Sequence, residues 1–268
     1  MSWNAVLENY ARMKRPQKEI PPGVWLADSE RTLTIFDGYE KAKYHFLVMP
    51  RDPFPLEGGG TVPSSHLESL TKLLKSEHKV EVLKALQTQA EEVKEMIQDE
   101  MQKEEGWEWD VQVGFHAVES MKHVHLHVIS SDLISPKLKN KKHYNSFHPK
   151  LGFFLHLDEV LEEVESGTFS LQPPKTYEAL LKDDLVSHYT GDVYANIPKL
   201  KAHLEDEWKT LGRRRRKEIE VRRKREEERA GVKDGGNEGP GQKTSEGGQE
   251  AKGHEEDARK GKRQKTEG

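Results

Sequence analysis

The sequence predicts an α+β domain followed by a small helical module and a basic, mostly disordered tail. Short runs that alternate apolar and polar residues are typical of half-buried strands, and they flank residues 65–101, where leucine and valine recur at helical spacing. From about residue 231 the chain is nearly free of apolar residues and rich in glycine, glutamate and lysine, which favours disorder. We therefore expect three regions, at residues 1–167, 168–212 and 213–268.

Composition limits the class of protein. The chain has 268 residues, of which 34% are charged and 33% hydrophobic, so part of it is not expected to join a core. It contains no cysteine, which excludes disulfides and thiolate metal sites. Because no apolar run approaches the roughly 18 residues of a membrane span and no apolar signal segment is visible, we expect an intracellular protein without a membrane partner.

The predicted elements follow one another in a regular order. An amphipathic helix is expected over residues 2–15, where apolar side chains recur at helical spacing and Pro16 then stops it. A break near residues 76–79 is expected to divide the long helical stretch in two. The predicted strands are residues 24–27, 32–36, 44–49 and 107–115.

The most informative run is residues 123–129, His-Val-His-Leu-His-Val-Ile. Alternation with period two predicts a strand on which three imidazoles share one face, about 6.6 Å apart. Such a row fits a zinc site, or phosphoryl or nucleotidyl transfer with one neutral imidazole as the nucleophile. A solvated face of an edge strand is the third interpretation, and three histidines in succession argue against it.

This run resembles the signature of the histidine triad (HIT) superfamily of nucleotide hydrolases and transferases. Residues 41–48, Lys-Ala-Lys-Tyr-His-Phe-Leu-Val, and 135–147, Ser-Pro-Lys-Leu-Lys-Asn-Lys-Lys-His-Tyr-Asn-Ser-Phe, resemble the aprataxin branch, which removes AMP from abortive DNA ligation ends. The resemblance spans about residues 3–208. It implies an antiparallel sheet with helices, followed by a zinc-finger-like module.

The resemblance also implies roles for single residues. His125 matches the nucleophile that forms an adenylated histidine, and His123 and His127 match the residues that orient it and bind phosphate. Ser120 matches a serine that contacts the scissile phosphates, and His116 lies in the same phosphate-binding approach. A neutral imidazole, with a reference pKa of about 6.5, is a competent nucleophile at pH 7. The reaction needs no metal if histidines and lysines neutralise the charge that develops on the phosphate.

Nucleotide and DNA contacts are implied in the same way. Asp37 matches the acid that grips the ribose hydroxyls, although an Asp-Gly turn alone would explain it. Lys41 and Lys43 match basic residues that line the pocket and the DNA end, although they also fit solvent-facing charges. The resemblance implies that Trp3 and Leu7 wedge against a base pair, although both could instead pack on the core.

A cationic loop follows the histidine run. Its lysines suit phosphates and its aromatic residues suit stacking on bases, although a solvated loop is the alternative. The predicted DNA-contacting residues are Lys137, Lys139, Lys141, Lys142, His143 and Tyr144 in this loop, beside which lies Phe147, and Lys199 and Lys201 further on.

The aprataxin branch carries a zinc finger with two cysteines and then His with His or Glu. His203 and Glu207 match the second pair, but Ser187 and Thr190 stand at the cysteine positions. Because hydroxyls are poor zinc ligands, we expect no metal and no other cofactor, with substitution of the cysteines by His188 or Asp192 as the alternative. The helix is expected to remain as a docked element that contacts DNA, held by Leu200, Leu204 and Trp208.

Basic clusters at residues 213–217, 222–225 and 262–265 fit nuclear targeting or phosphate binding, with plain solvated charge as the alternative. The resemblance therefore implies a nuclear DNA-5′-adenylate hydrolase. Its expected partners are nicked or broken DNA that carries a 5′-adenylate, AMP as product, and DNA-repair proteins as candidates. The alternatives are a Hint-type hydrolase of nucleoside phosphoramidates or dinucleotides, and a non-catalytic nucleic-acid binder.

Overall fold

The computed structural model describes residues 3–234, with side chains for residues 4–229. The predicted disorder beyond residue 234, the basic cluster at 262–265 and the side chain of Trp3 lie outside this part. The chain divides into two compact units, Met1–Val221 and Arg222–Gly268. Within residues 3–234 no helix has the length and apolar character needed to cross a membrane.

The helices, after a 3-10 turn at Trp3–Ala5, are α1 (Val6–Ala11), α2 (Pro16–Glu19), α3 (Leu70–Leu73), α4 (Lys79–Glu105), α5 (Lys141–Asn145), α6 (Leu157–Ser166), α7 (Pro174–Leu180) and α8 (Ile197–Asp234). The strands are β1 (Trp25–Asp28), β2 (Thr32–Phe36), β3 (His45–Pro50), β4 (Phe54–Pro55), β5 (Thr61–Val62), β6 (Val111–His116), β7 (Leu126–Ser130), β8 (Phe154–His156), β9 (Leu185–Val186) and β10 (Val193–Tyr194).

Six strands form one antiparallel sheet in the order β1-β2-β3-β7-β6-β8, which confirms the predicted α+β class. The centre is β7, because β3 and β6 pair with it on either side, with Leu47 and Gly114 both opposite His127. The site residues of neighbouring strands are therefore brought together by register.

Helix α4 covers one face of the sheet. Its residues Val82, Leu86, Val93 and Ile97 are buried at helical spacing and join the cluster that contains Leu126 and Val128 of β7. The predicted break in the long helical stretch is confirmed, since α3 ends at Leu73 and α4 begins at Lys79. Side chains alternate across a strand, so His127 lies on the opposite face from α4.

The N-terminal helix is shorter than predicted. α1 ends at Ala11, and α2 begins at Pro16, the residue expected to stop the helix. Leu7 is 2% exposed and packs in a cluster with Ile20, Leu33 and Met49. The prediction that Leu7 wedges against DNA is therefore wrong, because the apolar stripe of α1 is needed to attach the helix to the sheet.

The first part of α8 is fastened to the sheet domain by an aromatic cluster. The ring of Trp208 lies 5.9 Å from that of Trp107 and 5.2 Å from that of Trp109. A Cβ atom at Gly212 would approach the Trp107 ring to 2.8 Å, so glycine is what allows the helix to lie this close. With Leu200 and Leu204 both 0% exposed and Trp208 8% exposed, the predicted docking of this helix is confirmed.

Candidate active site

Of the three histidines in the run, only His127 lies on the strand. His123 has φ of 87°, and its N–H donates to Glu68 O at 2.8 Å, whereas β7 begins only at Leu126. Its imidazole is 1% exposed and donates from Nε2 to Pro50 O at 2.7 Å. The predicted row of three imidazoles on one face is therefore wrong at its first member, because the left-handed backbone interrupts the alternation.

His123 acts on its neighbour through its main chain. The Nδ1–H group of His125 donates to the carbonyl oxygen of His123 at 2.8 Å. A neutral imidazole carries one proton, so Nε2 of His125 keeps its lone pair. The nitrogen that remains available is the one a nucleophile needs.

His127 has the opposite tautomer, and His45, which was not predicted as a site residue, determines it. His45 accepts a hydrogen bond from the Lys41 N–H at Nδ1, at 3.2 Å, so its proton is on Nε2. This Nε2 lies 3.0 Å from Nδ1 of His127 and 3.4 Å from a carboxylate oxygen of Asp37. His127 therefore accepts at Nδ1 and carries its proton on Nε2, which has no partner among the described residues.

The signal for His45 was present in the sequence, since it is a histidine in the otherwise apolar run Tyr44-His45-Phe46-Leu47 of β3. A polar residue on a buried strand calls for a partner, and the partner could not be identified without the strand register. Asp37, His45 and His127 bring one possible ligand atom each within 4.8 Å of one another. A tetrahedral zinc keeps its nitrogens about 3.4 Å apart, so the 3.0 Å separation favours a hydrogen bond.

His116 joins the same group from β6. Its ring centroid lies 4.3 Å from that of His127 and 4.5 Å from that of Phe147, and its Nε2 has no partner among the described residues. We name His45, His116, His125 and His127 the histidine cluster. It contains three of the five residues for which catalytic roles were implied.

All four imidazoles of the histidine cluster are neutral at pH 7. Burial lowers the pKa of His45 to about 4 and lowers those of His116, His125 and His127 below the usual value, since water no longer stabilises the charged form. Neighbouring imidazoles lower the pKa of His127 further.

Ser120, the remaining residue for which a catalytic role was implied, is exposed in the loop that leads to His123.

Two of the predicted pocket residues lie beside the cluster. The Asp37 side chain is 13% exposed, accepts from the Tyr39 N–H at 2.7 Å and faces His45. Lys41 is 8% exposed, its ammonium donates to Tyr39 O, and burial lowers its pKa.

Lys43 points elsewhere. Its ammonium pairs with Glu105 at the end of α4 and lies 4.1 Å over the Trp208 ring. The prediction that Lys43 lines the pocket is wrong, because residues 41–44 form bends, and alternate residues there do not share a face.

The loop lysines and the loop aromatics differ in exposure. Tyr144 is 0% and Phe147 is 3% exposed, so the prediction that they stack on bases is wrong: both fill the core beneath the loop. Lys137, Lys139, Lys142 and Lys199 are exposed, whereas Lys141, His143 and Lys201 are half-buried. Lys137 pairs with Glu40 at 2.7 Å, and the Lys201 ammonium donates to Ser135 O at 2.7 Å.

The finger module, which we define as residues 185–208, is closed by hydrogen bonds. Nε2 of His203 lies 2.9 Å from Ser187 Oγ and 3.4 Å from Thr190 Oγ1, and Glu207 lies one turn further along α8. This donor set does not fit zinc, because two neutral hydroxyls replace thiolates and the imidazole nitrogen already has partners. The Tyr144 hydroxyl fastens the module by donating to Val186 O at 2.8 Å.

The basic arm begins in the same helix. Residues 213–217 are exposed, and Arg216 donates to the carbonyl oxygen of Glu105 at 3.0 Å. In the second unit, residues 222–234 are helical, and exposed pairs such as Arg223 and Glu227, 3.4 Å apart, offset part of the positive charge.

Two family models match the chain. A model described as C2HE / C2H2 / C2HC zinc-binding finger matches residues 150–210, and one described as scavenger mRNA decapping enzyme C-terminal binding matches residues 60–143. The first match covers the finger module, although the chain has no cysteine.

Similar proteins cover most of the chain. It is 36% identical to aprataxin of Danio rerio over 69% of its own length and 49% of that protein, and thus spans about half of this relative. It is 31% identical to an aprataxin-like protein of Saccharomyces cerevisiae over 78% of its own length and 97% of that protein. The crystal structure of the aprataxin ortholog Hnt3 in complex with DNA matches with a TM-score of 0.62 and 26% identity, over 81% of this chain and all of that one.

Proposed function

The chain belongs to the aprataxin-like family of histidine triad proteins, and we propose that it hydrolyses 5′-adenylated DNA through a covalent adenylyl-histidine. The observation that carries the proposal is the pair of opposite tautomers at the sheet centre. His125 offers a lone pair at Nε2, and His127 offers a proton at Nε2. A nucleophile beside a hydrogen-bond donor is what attack on a phosphate requires.

The proposed reaction has two steps. Nε2 of His125 attacks the α-phosphorus of the AMP group, and the bond from that phosphorus to the bridging oxygen breaks, so the DNA leaves with its 5′-phosphate. The oxygen of a water molecule then attacks the same phosphorus, so a phosphorus–oxygen bond forms as the nitrogen–phosphorus bond breaks. AMP is released, Nε2 of His125 regains its lone pair, and one proton of the water goes to solvent. Nε2–H of His127 donates to the phosphate in both steps, and neutral imidazoles avoid the cost of desolvating a charge in the cluster.

Asp37 and Lys41 are proposed to bind the nucleotide. A carboxylate at the rim of the histidine cluster can accept from the two ribose hydroxyls, and the Lys41 ammonium adds positive charge near the phosphates. The exposed Lys139, Lys142 and Lys199 are proposed to bind the DNA backbone, with repair proteins as further partners and the nucleus as the place of action. The finger module is proposed to contribute to DNA binding without zinc.

The central experiment compares two substrates. Full-length protein is offered a nicked duplex with a 5′-adenylate and, separately, adenosine phosphoramidate, and AMP is measured. The proposal expects preference for the duplex. Preference for the phosphoramidate would support a Hint-type hydrolase, and DNA binding without turnover of either would support a non-catalytic binder.

Charge variants test the DNA surface. Lys139→Ala with Lys142→Ala should weaken action on the duplex, flatten its salt dependence and spare the small substrate. Lys84→Ala with Lys103→Ala is the matched control, because these exposed lysines lie on α4, on the other face of the sheet. Equal effects of the two double variants would remove the loop from the proposed DNA surface.

The N-terminal helix needs a separate test. Trp3→Ala should slow action on the duplex by about one to two decades, from about 1–3 kcal/mol of base stacking, and spare the small substrate. Leu7→Ala should instead lose about 2–5 kcal/mol of stability and impair both substrates alike. The same pattern in Trp3→Ala would assign Trp3 to the core.

A further inference from the structure

One edge of the six-stranded sheet is only partly covered. β8 pairs with β6 at Gly114, Phe115 and His116, and it ends at His156, where α6 follows. Within residues 3–234, Val111 at the start of β6 has a neighbouring strand on the β7 side alone.

The strand register shows which main-chain N–H and C=O groups of β6 have no neighbouring strand to pair with. The Ser131 N–H donates to the carbonyl oxygen of Asp110 at 2.8 Å, so the main chain of Asp110 faces β7. Successive residues of a strand direct their N–H and C=O groups to alternate sides, so those of Val111 face away from β7, beyond the end of β8. Free main-chain groups at a sheet edge are a template for another strand.

A cleft with a volume of about 490 Å³ runs along this edge. Three carboxylates line it, those of Glu108, Asp110 and Asp158, against the single ammonium of Lys94. Gln112 also lines the cleft; it is 9% exposed, and its side-chain oxygen has no partner among the described residues. A buried acceptor without a donor costs about 1–3 kcal/mol, so an incoming N–H group would be favoured here.

The net negative charge of the cleft indicates which kind of molecule can bind there. A phosphate backbone is repelled by the net negative cleft, and a second copy paired across a two-fold axis would bring these carboxylates against their own counterparts. Glu108 and Asp110 lie in the segment just before β6, and both are exposed and line the cleft while Trp109 between them is buried. Two carboxylates at alternate positions of the chain match basic side chains at alternate positions of an added strand. We propose that the β6 edge binds an extended, lysine- or arginine-rich segment of a partner protein by strand addition.

The test uses full-length protein and a labelled ten-residue peptide in which lysine alternates with threonine. Fluorescence anisotropy should show binding, and the amide signal of Val111 should shift in nitrogen-15 spectra. N-methylation of the peptide amides that face β6 should weaken binding about tenfold or more, whereas N-methylation of the other alternate set should have little effect. A peptide with glutamate in place of lysine should not bind.

Variants of the protein separate strand addition from general charge attraction. Glu108→Lys with Asp110→Lys should weaken binding about tenfold, while Glu30→Lys with Glu178→Lys, an equal charge change at exposed sites elsewhere, should leave it unchanged. Hydrolysis should be unaffected in both. Equal losses in the two variants, or indifference to both patterns of N-methylation, would overturn the proposal. A concentration-dependent dimer that Glu108→Lys with Asp110→Lys disrupts would assign the edge to a second copy instead.

Discussion

The histidine cluster and the finger module both depend on imidazoles, and they differ in the fate of the Nε2 atom. In His125 and His127 a hydrogen bond occupies Nδ1, so Nε2 is left open. In His203 the Nε2 atom itself meets the hydroxyls of Ser187 and Thr190. The difference teaches that the partner of each ring nitrogen, and not the presence of histidine, separates a reactive imidazole from a structural one.

The largest effect on turnover is expected from a substitution in the histidine cluster. His125→Ala should lower turnover by roughly 10³-fold or more, because no other imidazole of the histidine cluster presents a lone pair in that place. Acid-quenched wild-type protein should carry AMP, and the variant should not. His78→Ala, a histidine at the start of α4, is the control, and near-normal hydrolysis by folded His125→Ala would sink the proposed mechanism.

The second prediction is that two substitutions convert the finger module into a zinc site. Ser187→Cys with Thr190→Cys places two thiolates beside His203, with Glu207 as a fourth donor, so this variant should purify with about one zinc per chain. The unaltered protein should carry much less, and chelators should not reduce its activity. Elemental analysis decides, and stoichiometric zinc in the unaltered protein that is lost in His203→Ala would show that the finger still binds metal.

The buried imidazoles should make the protein sensitive to acid. The pKa values of His45 and His123 are lowered to about 4 by burial, so below pH 6.5 the unfolded chain binds protons that the folded chain does not. Stability is therefore fully present above pH 6.5 and falls towards pH 4, by several kcal/mol in total at about 1.4 kcal/mol per pKa unit.

Urea unfolding at pH 7.5, 6 and 5 measures this slope. His123→Gln, which keeps a donor for Pro50 O but cannot titrate, should flatten it. Stability that does not change over this range would contradict the assignment of neutral, buried imidazoles.

The smallest effect concerns the connection between the two regions. Tyr144→Phe removes the hydroxyl that donates to Val186 O and accepts from the His188 N–H at 3.0 Å, which should cost about 1 kcal/mol. Faster hydrogen exchange is expected in residues 185–192, with unchanged exchange in β7. Equal acceleration in both places would mean that the module and the sheet open together.

Much of the fold followed from local pattern. Alternation predicted five of the six strands of the sheet, all but β8, and helical spacing predicted α4 with its break, because both signals are properties of neighbouring residues. The three errors that concern buried side chains have one physical cause. Leu7, Tyr144 and Phe147 were assigned to DNA, yet each is buried by residues far away in the chain. Whether an apolar or aromatic side chain is buried or exposed depends on the residues that pack against it. Those residues are distant in the chain, so sequence spacing does not reveal them.

The sequence by itself determined the family, the antiparallel α+β class and the histidine run at residues 123–127, since these depend on residue types at short spacing. Tertiary structure alone decided how the protons are placed. It moved His123 off the strand, brought Asp37 and His45 up to His127 across the β3–β7 register, and turned Lys43 towards Trp208. The physical reason is that the tautomer of a buried imidazole is set by whichever group reaches its second nitrogen, and that group comes from another strand.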